Sequence, residues 1–179
     1  IALHLANRER FTVGLVDHPG EPSLIGRTVI EASDPARGIA TSGWHGRSFS
    51  LGIADAVTVL AQTAAQADAA ATIIANAVDL PDHPAIDRCS ANEIQPDSDL
   101  GDRLVTRGVG ALSSHEIAAA LDAGVRRARA LLVDGLIEGA ALHLQGETQV
   151  VALKNIDGAV PFMPAVVATR TGALHAAGA

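Results

Sequence analysis

From Thr63 to Val78 the chain carries one charged residue, Asp68, and six alanines fall between positions 64 and 71. Alanine has the highest helix propensity, so the run predicts a helix over Thr63–Val78, ending near Asp79 before Leu80-Pro81. A helix with so small a surface must lie close to whatever covers it. The composition asks the same of the whole core, because 48% of the residues are hydrophobic and only 2% are aromatic. Ala, Val, Leu and Ile must therefore do the packing. A chain of 179 residues suits one domain, and a globule of this size hides roughly 70% of the surface its unfolded chain exposes, enough for a core without staples.

Around that helix the pattern predicts an α+β fold, with largely antiparallel sheets packed on the alanine-rich helix and a second long helix. Short strands are expected at Ile1–Leu5, Phe11–Val16, Arg27–Ile30 and Gly38–Thr41, forming a meander broken at His18-Pro19-Gly20 and Asp34-Pro35. The apolar run Ser48–Leu60 suggests a buried strand at Ala56–Leu60. Residues 1–80 then form a first part and the Pro-, Asp- and Ser-rich stretch 81–102 a linking surface loop. In 103–153 a strand at Leu104–Val109 precedes a helix at Ser114–Asp134, announced by a capping box of Ser113 and Glu116. Gln145-Gly146-Glu147 signals a hairpin between Gly139–Leu144 and Thr148–Leu153. Residues 154–179 form a tail, and its small-residue-rich end, Pro161–Ala179, is either a docking segment or disordered.

A net charge of −7, scattered arginines and the absence of Tyr argue against nucleic acid as a partner. Cys89, the one cysteine, has no internal disulfide partner, and no His stands beside it in sequence to activate it as a nucleophile. With no apolar run of about 18 residues and no basic-plus-apolar leader, the expectation is a soluble cytoplasmic protein that does not meet a membrane. The sequence starts at Ile1, within an expected strand and without Met. A part of the domain, and of its site, is therefore expected to lie N-terminal to it.

Within the alanine-rich helix Asp68, Thr72 and Asn76 recur at four-residue intervals and share one face. A carboxylate, a hydroxyl and an amide all offer oxygen, the ligand type that hard cations such as Mg²⁺ prefer. The stripe either serves a cation or faces water, with Asp68 then free to cap a neighbouring element. Upstream, Thr41-Ser42-Gly43-Trp44-His45-Gly46-Arg47-Ser48 gathers hydroxyls, glycines and a guanidinium after a strand. Glycines let backbone N–H groups approach an anion, and Arg47 can fork onto phosphate or carboxylate oxygens. Trp44 either stacks on a planar ring or covers the loop, and His45 is either a general base or a surface residue. Asp55 is a charge inside an apolar run and must face something polar: the Thr41–Ser48 loop or a ligand.

Ile39-Ala40-Thr41-Ser42-Gly43, a Ser-rich segment holding Asp55, Val57-Thr58-Val59 and Ala67-Asp68-Ala69-Ala70-Ala71-Thr72 follow one another within about forty residues. In that order they resemble the C-terminal half of ApbE, the FAD:protein FMN transferase family. There the same stretches read as a Val-Ala-Thr-Ser-Gly strand end, a His-Ile-x-Asp-Pro motif, a Thr-Val strand and an Ala-Asp-x-x-x-Thr helix. A nearer likeness, over most of Ile1–Leu153, is to an uncharacterised ApbE-related family that carries Ser48–Ala56 and Pro96–Arg103 almost unchanged. The resemblance implies that Asp68 and Thr72 bind Mg²⁺ beside the pyrophosphate of FAD, with FMN as the other flavin expected as a cofactor. It also implies that Thr41, Ser42 and Gly43 line the pocket and that Asp55 matches the motif aspartate. Gly52 stands where the motif has His, and Ala56 where it has Pro.

The expected cofactor contacts are thus Thr41, Ser42, Gly43, Arg47, Ser48, Asp55 and Asn76, with Asp68 and Thr72 on the metal. The first functional expectation is an ApbE-like protein that binds a flavin or other nucleotide-type small molecule with a divalent cation. The second is an amide or ester hydrolase with Ser42 or Ser48 as nucleophile, His45 as base and the 43–46 backbone as oxyanion donor; Asp55 is a further catalytic candidate. A third is a non-catalytic subunit that docks a partner through its small-residue surface. A homodimer is compatible with each.

Overall fold

The alanine-rich run folds as α1 (Ala64–Ala77) in a computed structural model that describes residues 1–18 and 24–152. Thr63 caps it by accepting from the Gln66 N–H, and Ala67, Ala70, Ala71, Ile74 and Ala75 form its buried face. Spacing of three and four residues puts these small side chains on one stripe, so the helix backbone lies close to its neighbours.

The support for α1 is a four-stranded antiparallel sheet in the order β3 (Gly38–Ser42), β4 (Ala56–Ala61), β7 (Gly139–Leu144) and β8 (Glu147–Ala152). Its second helix is α3 (Ser114–Val133), whose Ser113–Glu116 capping box forms as expected. α1 contacts β3 and β4, α3 contacts β7 and β8, and the two helices touch. Between helices and sheet lies the main core, including Val57, Val59, Ile74, Leu121 and Leu142, each no more than 1% exposed. Gly124 shows how tight this layer is. A Cβ there would meet Val78 Cγ2 at 2.4 Å and Leu142 Cδ2 at 2.6 Å. The α+β architecture expected from the sequence is the one observed.

Several local expectations change. β1 (Arg10–Val16) and β2 (Leu24–Glu31) make a separate hairpin, while β3 pairs with β4, so the first strands do not continue as one meander. A turn at Glu31–Asp34 diverts the chain, and the Arg37 guanidinium fixes it by donating to the Ala32, Asp34 and Ala36 carbonyls. Ile1–Leu5, expected to be a strand, makes one isolated bridge from Ala2 to Gly38. It leaves the β3 edge because a turn at Ala6–Glu9 carries it away toward β1.

The segment 81–102, expected to be a loop, contains β5 (Ile86–Ser90) and a one-turn helix, α2 (Ala91–Ile94). β5 pairs with β6 (Leu104–Val109) around a bulge at Asp87/Arg88. Polar residues at consecutive positions hide this strand from any test of alternation, and long-range bonds hold it instead. Arg88 pairs with Asp79 and donates to the Leu51 carbonyl. The expected tail, with Leu153, lies outside the described residues, as does the Pro19-Gly20 breaker.

Candidate ligand-binding site

Strand register brings the first two hydroxyls together. Thr41 on β3 stands opposite Thr58 on β4, and their Oγ1 atoms are 2.8 Å apart. Alternation turns both side chains to the face that also carries Ile39, away from the main core. Here a cleft of about 360 Å³ opens, with Val13 and Leu15 of β1 and Ile39 of β3 as an apolar wall and Thr41, Thr58 and Asp68 as polar groups. Thr58 is 7% exposed, whereas Thr41 and Asp68 are exposed. Strand pairing and helix packing thus unite groups that are 27 positions apart in sequence, Thr41 and Asp68.

Beyond Ser42 the chain enters the loop that precedes β4. Gly43 must be glycine, since a Cβ would stand 2.2 Å from the Asp55 carbonyl oxygen. Its neighbour Trp44 donates its backbone N–H to the Ala54 carbonyl at 3.0 Å, closing the loop at its base. The Asp55 carboxylate is the centre of this loop. Oδ1 accepts from Trp44 Nε1 at 3.0 Å and lies 3.3 Å from His45 Nε2, while Oδ2 accepts the Gln145 backbone N–H at 2.6 Å. The question of what Asp55 faces is answered by these three groups. Burial is the largest influence on His45 and pushes its pKa below the ordinary 6.5, against the opposing pull of Asp55 and with help from His18. The balance favours the uncharged imidazole.

Among the described residues no hydrogen bond joins Ser42 or Ser48 to His45; the contact of its Nε2 is with Asp55. Arg47 and Ser48 are exposed and Ser42 is half-buried. The Asp68–Thr72–Asn76 stripe divides. Asp68 and Thr72 are exposed, but Asn76 is half-buried, and its Oδ1 accepts from Leu51 N at 3.0 Å and lies 3.3 Å from Ser50 Oγ. Asn76 therefore clamps the 50–52 turn. Each four-residue step overshoots a helical turn by about 40°, so residues eight apart face directions about 80° apart.

The sequence matches the model of the protein family described as "AbpE bacteria" over residues 1–150. The chain belongs to that family. A UPF0280 protein of Methanothermobacter thermautotrophicus is 46% identical over 81 residues, covering 44% of this chain and 30% of that protein. A UPF0280 protein of Methanopyrus kandleri is 46% identical over 72 residues, covering 38% of this chain and 28% of that protein. The chain thus matches under a third of the length of these relatives. No solved structure matches it.

In this AbpE-family chain Gly52 has a structural reason of its own. A Cβ there would stand 2.1 Å from the Ala75 carbonyl oxygen and 2.8 Å from that of Val78. The 50–55 segment is held this close to the end of α1 by Ile53 N donating to the Val78 carbonyl at 2.8 Å and by Thr106 Oγ1 donating to the Gly52 carbonyl at 2.9 Å. No histidine fits at position 52.

Sequence reasoning missed three contributors. Thr58 had a signal, a hydroxyl within an otherwise apolar buried strand. Gln145, which also bonds Gly110 O and Leu112 N, and His18, whose ring centroid is 4.2 Å from that of His45, have no local signal. Among the described residues no group of three or more His, Cys, Asp or Glu is placed to hold a metal, and no helix is long and apolar enough to cross a membrane.

Proposed function

We propose that this ApbE-like protein binds a flavin or other nucleotide-type diphosphate, together with a divalent cation, in the cleft along β3. The observation that carries the reading is the meeting of Thr41, Thr58 and Asp68, from three different elements, beside the apolar wall of Val13, Leu15 and Ile39. An apolar wall with a few convergent polar groups is the general form of a small-molecule site. Two of the three polar residues, Thr41 and Asp68, are those that the family resemblance assigns to a flavin–Mg²⁺ pocket.

The donor set fits a cation shared with the ligand rather than one enclosed by protein. Mg²⁺ keeps several waters and is commonly bound through one or two carboxylates plus phosphate oxygens. Asp68 supplies one carboxylate, and Thr72, one turn further along α1, a hydroxyl. Such a cation neutralises phosphate charge, which a protein of net charge −7 would otherwise repel. Thr41 and Thr58, already bonded to each other, orient hydroxyls toward the same space. The proposal is of binding. Position 52 has no room for the motif histidine, and no transfer step is assigned.

Calorimetric titration of FAD into the protein, in excess Mg²⁺ and again in EDTA, tests the reading. Binding that weakens at least tenfold in EDTA, and that loses its Mg²⁺ dependence in Asp68→Asn, is expected. Equal affinity in both buffers would overturn it.

A further inference from the structure

We propose that Trp44 and His45 form a stacking platform for the planar heteroaromatic ring of the ligand, with Asp55 as the positioning residue that fixes the orientation of both rings. The inference rests on the binding reading above and adds to it a ring subsite beside the diphosphate cleft.

Trp44 is the chain's only tryptophan, and the chain has no tyrosine. A core-building role would use so large a side chain inside, yet Trp44 is half-buried on a loop and belongs to neither buried cluster. Its ring centroid lies 3.8 Å from that of His45 with the planes 36° apart, and His18 adds a third ring 4.2 Å from His45 at 52°. An aromatic contact depends on the relative geometry of the rings, and geometry here is imposed. The indole N–H and the imidazole Nε2 converge on the single oxygen Asp55 Oδ1, at 3.0 and 3.3 Å, while Gln145 holds Oδ2. Without that carboxylate, side chains on a Gly- and Ser-rich loop would rotate freely. Rings ordered before the ligand arrives lose less entropy on binding it.

Position supports the same assignment. The loop leaves β3 directly after Thr41-Ser42 and rejoins the sheet at Ala56, two residues before Thr58, so both of its ends lie close to residues that line the cleft. A diphosphate in that cleft would bring an attached ring within reach of this loop. The flat faces of indole and imidazole suit a planar heteroaromatic ring, an isoalloxazine or a purine.

The sole tryptophan is its own reporter. Trp44 emission is followed while the full chain is titrated, without metal, with riboflavin and separately with adenosine, with correction for absorbed light. FAD affinity is then measured by calorimetry for the wild type, Trp44→Ala and Trp44→Phe. The platform predicts saturable quenching by the ring that occupies it. It also predicts roughly a tenfold or greater loss of FAD affinity in Trp44→Ala, as for one base–aromatic stacking contact, and affinity largely restored in Trp44→Phe. Unchanged helical circular dichroism in both variants shows that the fold is kept. FAD bound by Trp44→Ala as tightly as by the wild type would overturn the platform and leave the cleft reading standing. Quenching by a free ring with no Mg²⁺-dependent FAD binding would support the platform and overturn the cleft reading. No quenching by either ring would overturn the platform outright.

Discussion

Leu142 and Ile30 are both almost fully buried, at 0% and 1% exposure, but they belong to cores of very different depth. Leu142 sits between sheet and helices in a cluster that draws on β4, α1, α3, β7 and β8. Around Ile30 the buried partners among the described residues are Ala36 and Ile39, and the β1–β2 hairpin leaves Phe11, Leu24 and Val29 more than 40% exposed. Local stability follows the number of elements that must separate before a residue reaches water, so the body opens globally and the hairpin can open alone. The cleft lies on the seam between the two. Thr41, Thr58 and Asp68 stand on elements of the body; Val13 and Leu15 come from the hairpin. The hairpin's share of the apolar wall is thus the adaptable side of the site, and the elements that carry the polar groups are the rigid side.

The largest effect is expected within the body. Gly52→His would drive a side chain into the Ala75 and Val78 carbonyls, neither of which is the end of a flexible group. A loss of about 3 kcal/mol or more in urea unfolding is expected, at the upper end of overpacking effects. Wild-type stability would show that the end of α1 is far softer than its packing implies.

A pair of truncations sharpens the contrast. Leu142→Ala should cost about 2–5 kcal/mol in global unfolding. Ile30→Ala removes a comparable side chain but should act locally. Hydrogen exchange should speed up in β1 and β2 while α1 and α3 amides keep their protection. Equal acceleration in all elements would mean that hairpin and body form one cooperative unit.

The smallest effects concern pH, and they too divide by region. His45 has a folded pKa below its unfolded 6.5. As pH falls below 6.5 the unfolded chain takes up a proton that the folded loop resists, so stability at this end of the sheet declines and then levels below the folded value. Glu116 behaves differently. The Ser113 backbone N–H, then the Ser113 hydroxyl and His83, hold its pKa down to about 2 from 4.5. Its contribution at the start of α3 is complete above 4.5 and is lost as pH falls toward 2. Acid unfolding of His45→Gln and Glu116→Gln should remove one dependence each, the first setting in as pH falls below 6.5 and the second below 4.5. Unchanged profiles would contradict both assignments.

The sequence announced those features that depend on neighbours along the chain. α1 followed from alanine, α3 from the Ser113–Glu116 box, and the β7–β8 hairpin from Gln145-Gly146, whose φ values of 43° and 89° are those of a tight turn. Features set by distant partners were hidden. Ile86-Asp87-Arg88-Cys89-Ser90 has no alternating pattern because its strand is held by Arg88 and by β6. The pairing of β3 with β4 depends on a turn fixed by Arg37. At the site, Asp68 and Thr41 were found from residue type and family likeness, and the cleft brings these two together. Asn76 shared their spacing but not their direction, because a four-residue repeat drifts around a helix. Gln145 reaches Asp55 across 90 positions, a contact that no local motif records.

A ligand seated on the seam should be visible by hydrogen exchange on the full chain with and without FAD and Mg²⁺. Slowed exchange is predicted at Gly14–Leu15 of β1 and Ile39–Thr41 of β3, with β5 and β6 unchanged. Protection confined to β5 and β6, or binding that leaves β1 and β3 exchanging as before, would contradict it.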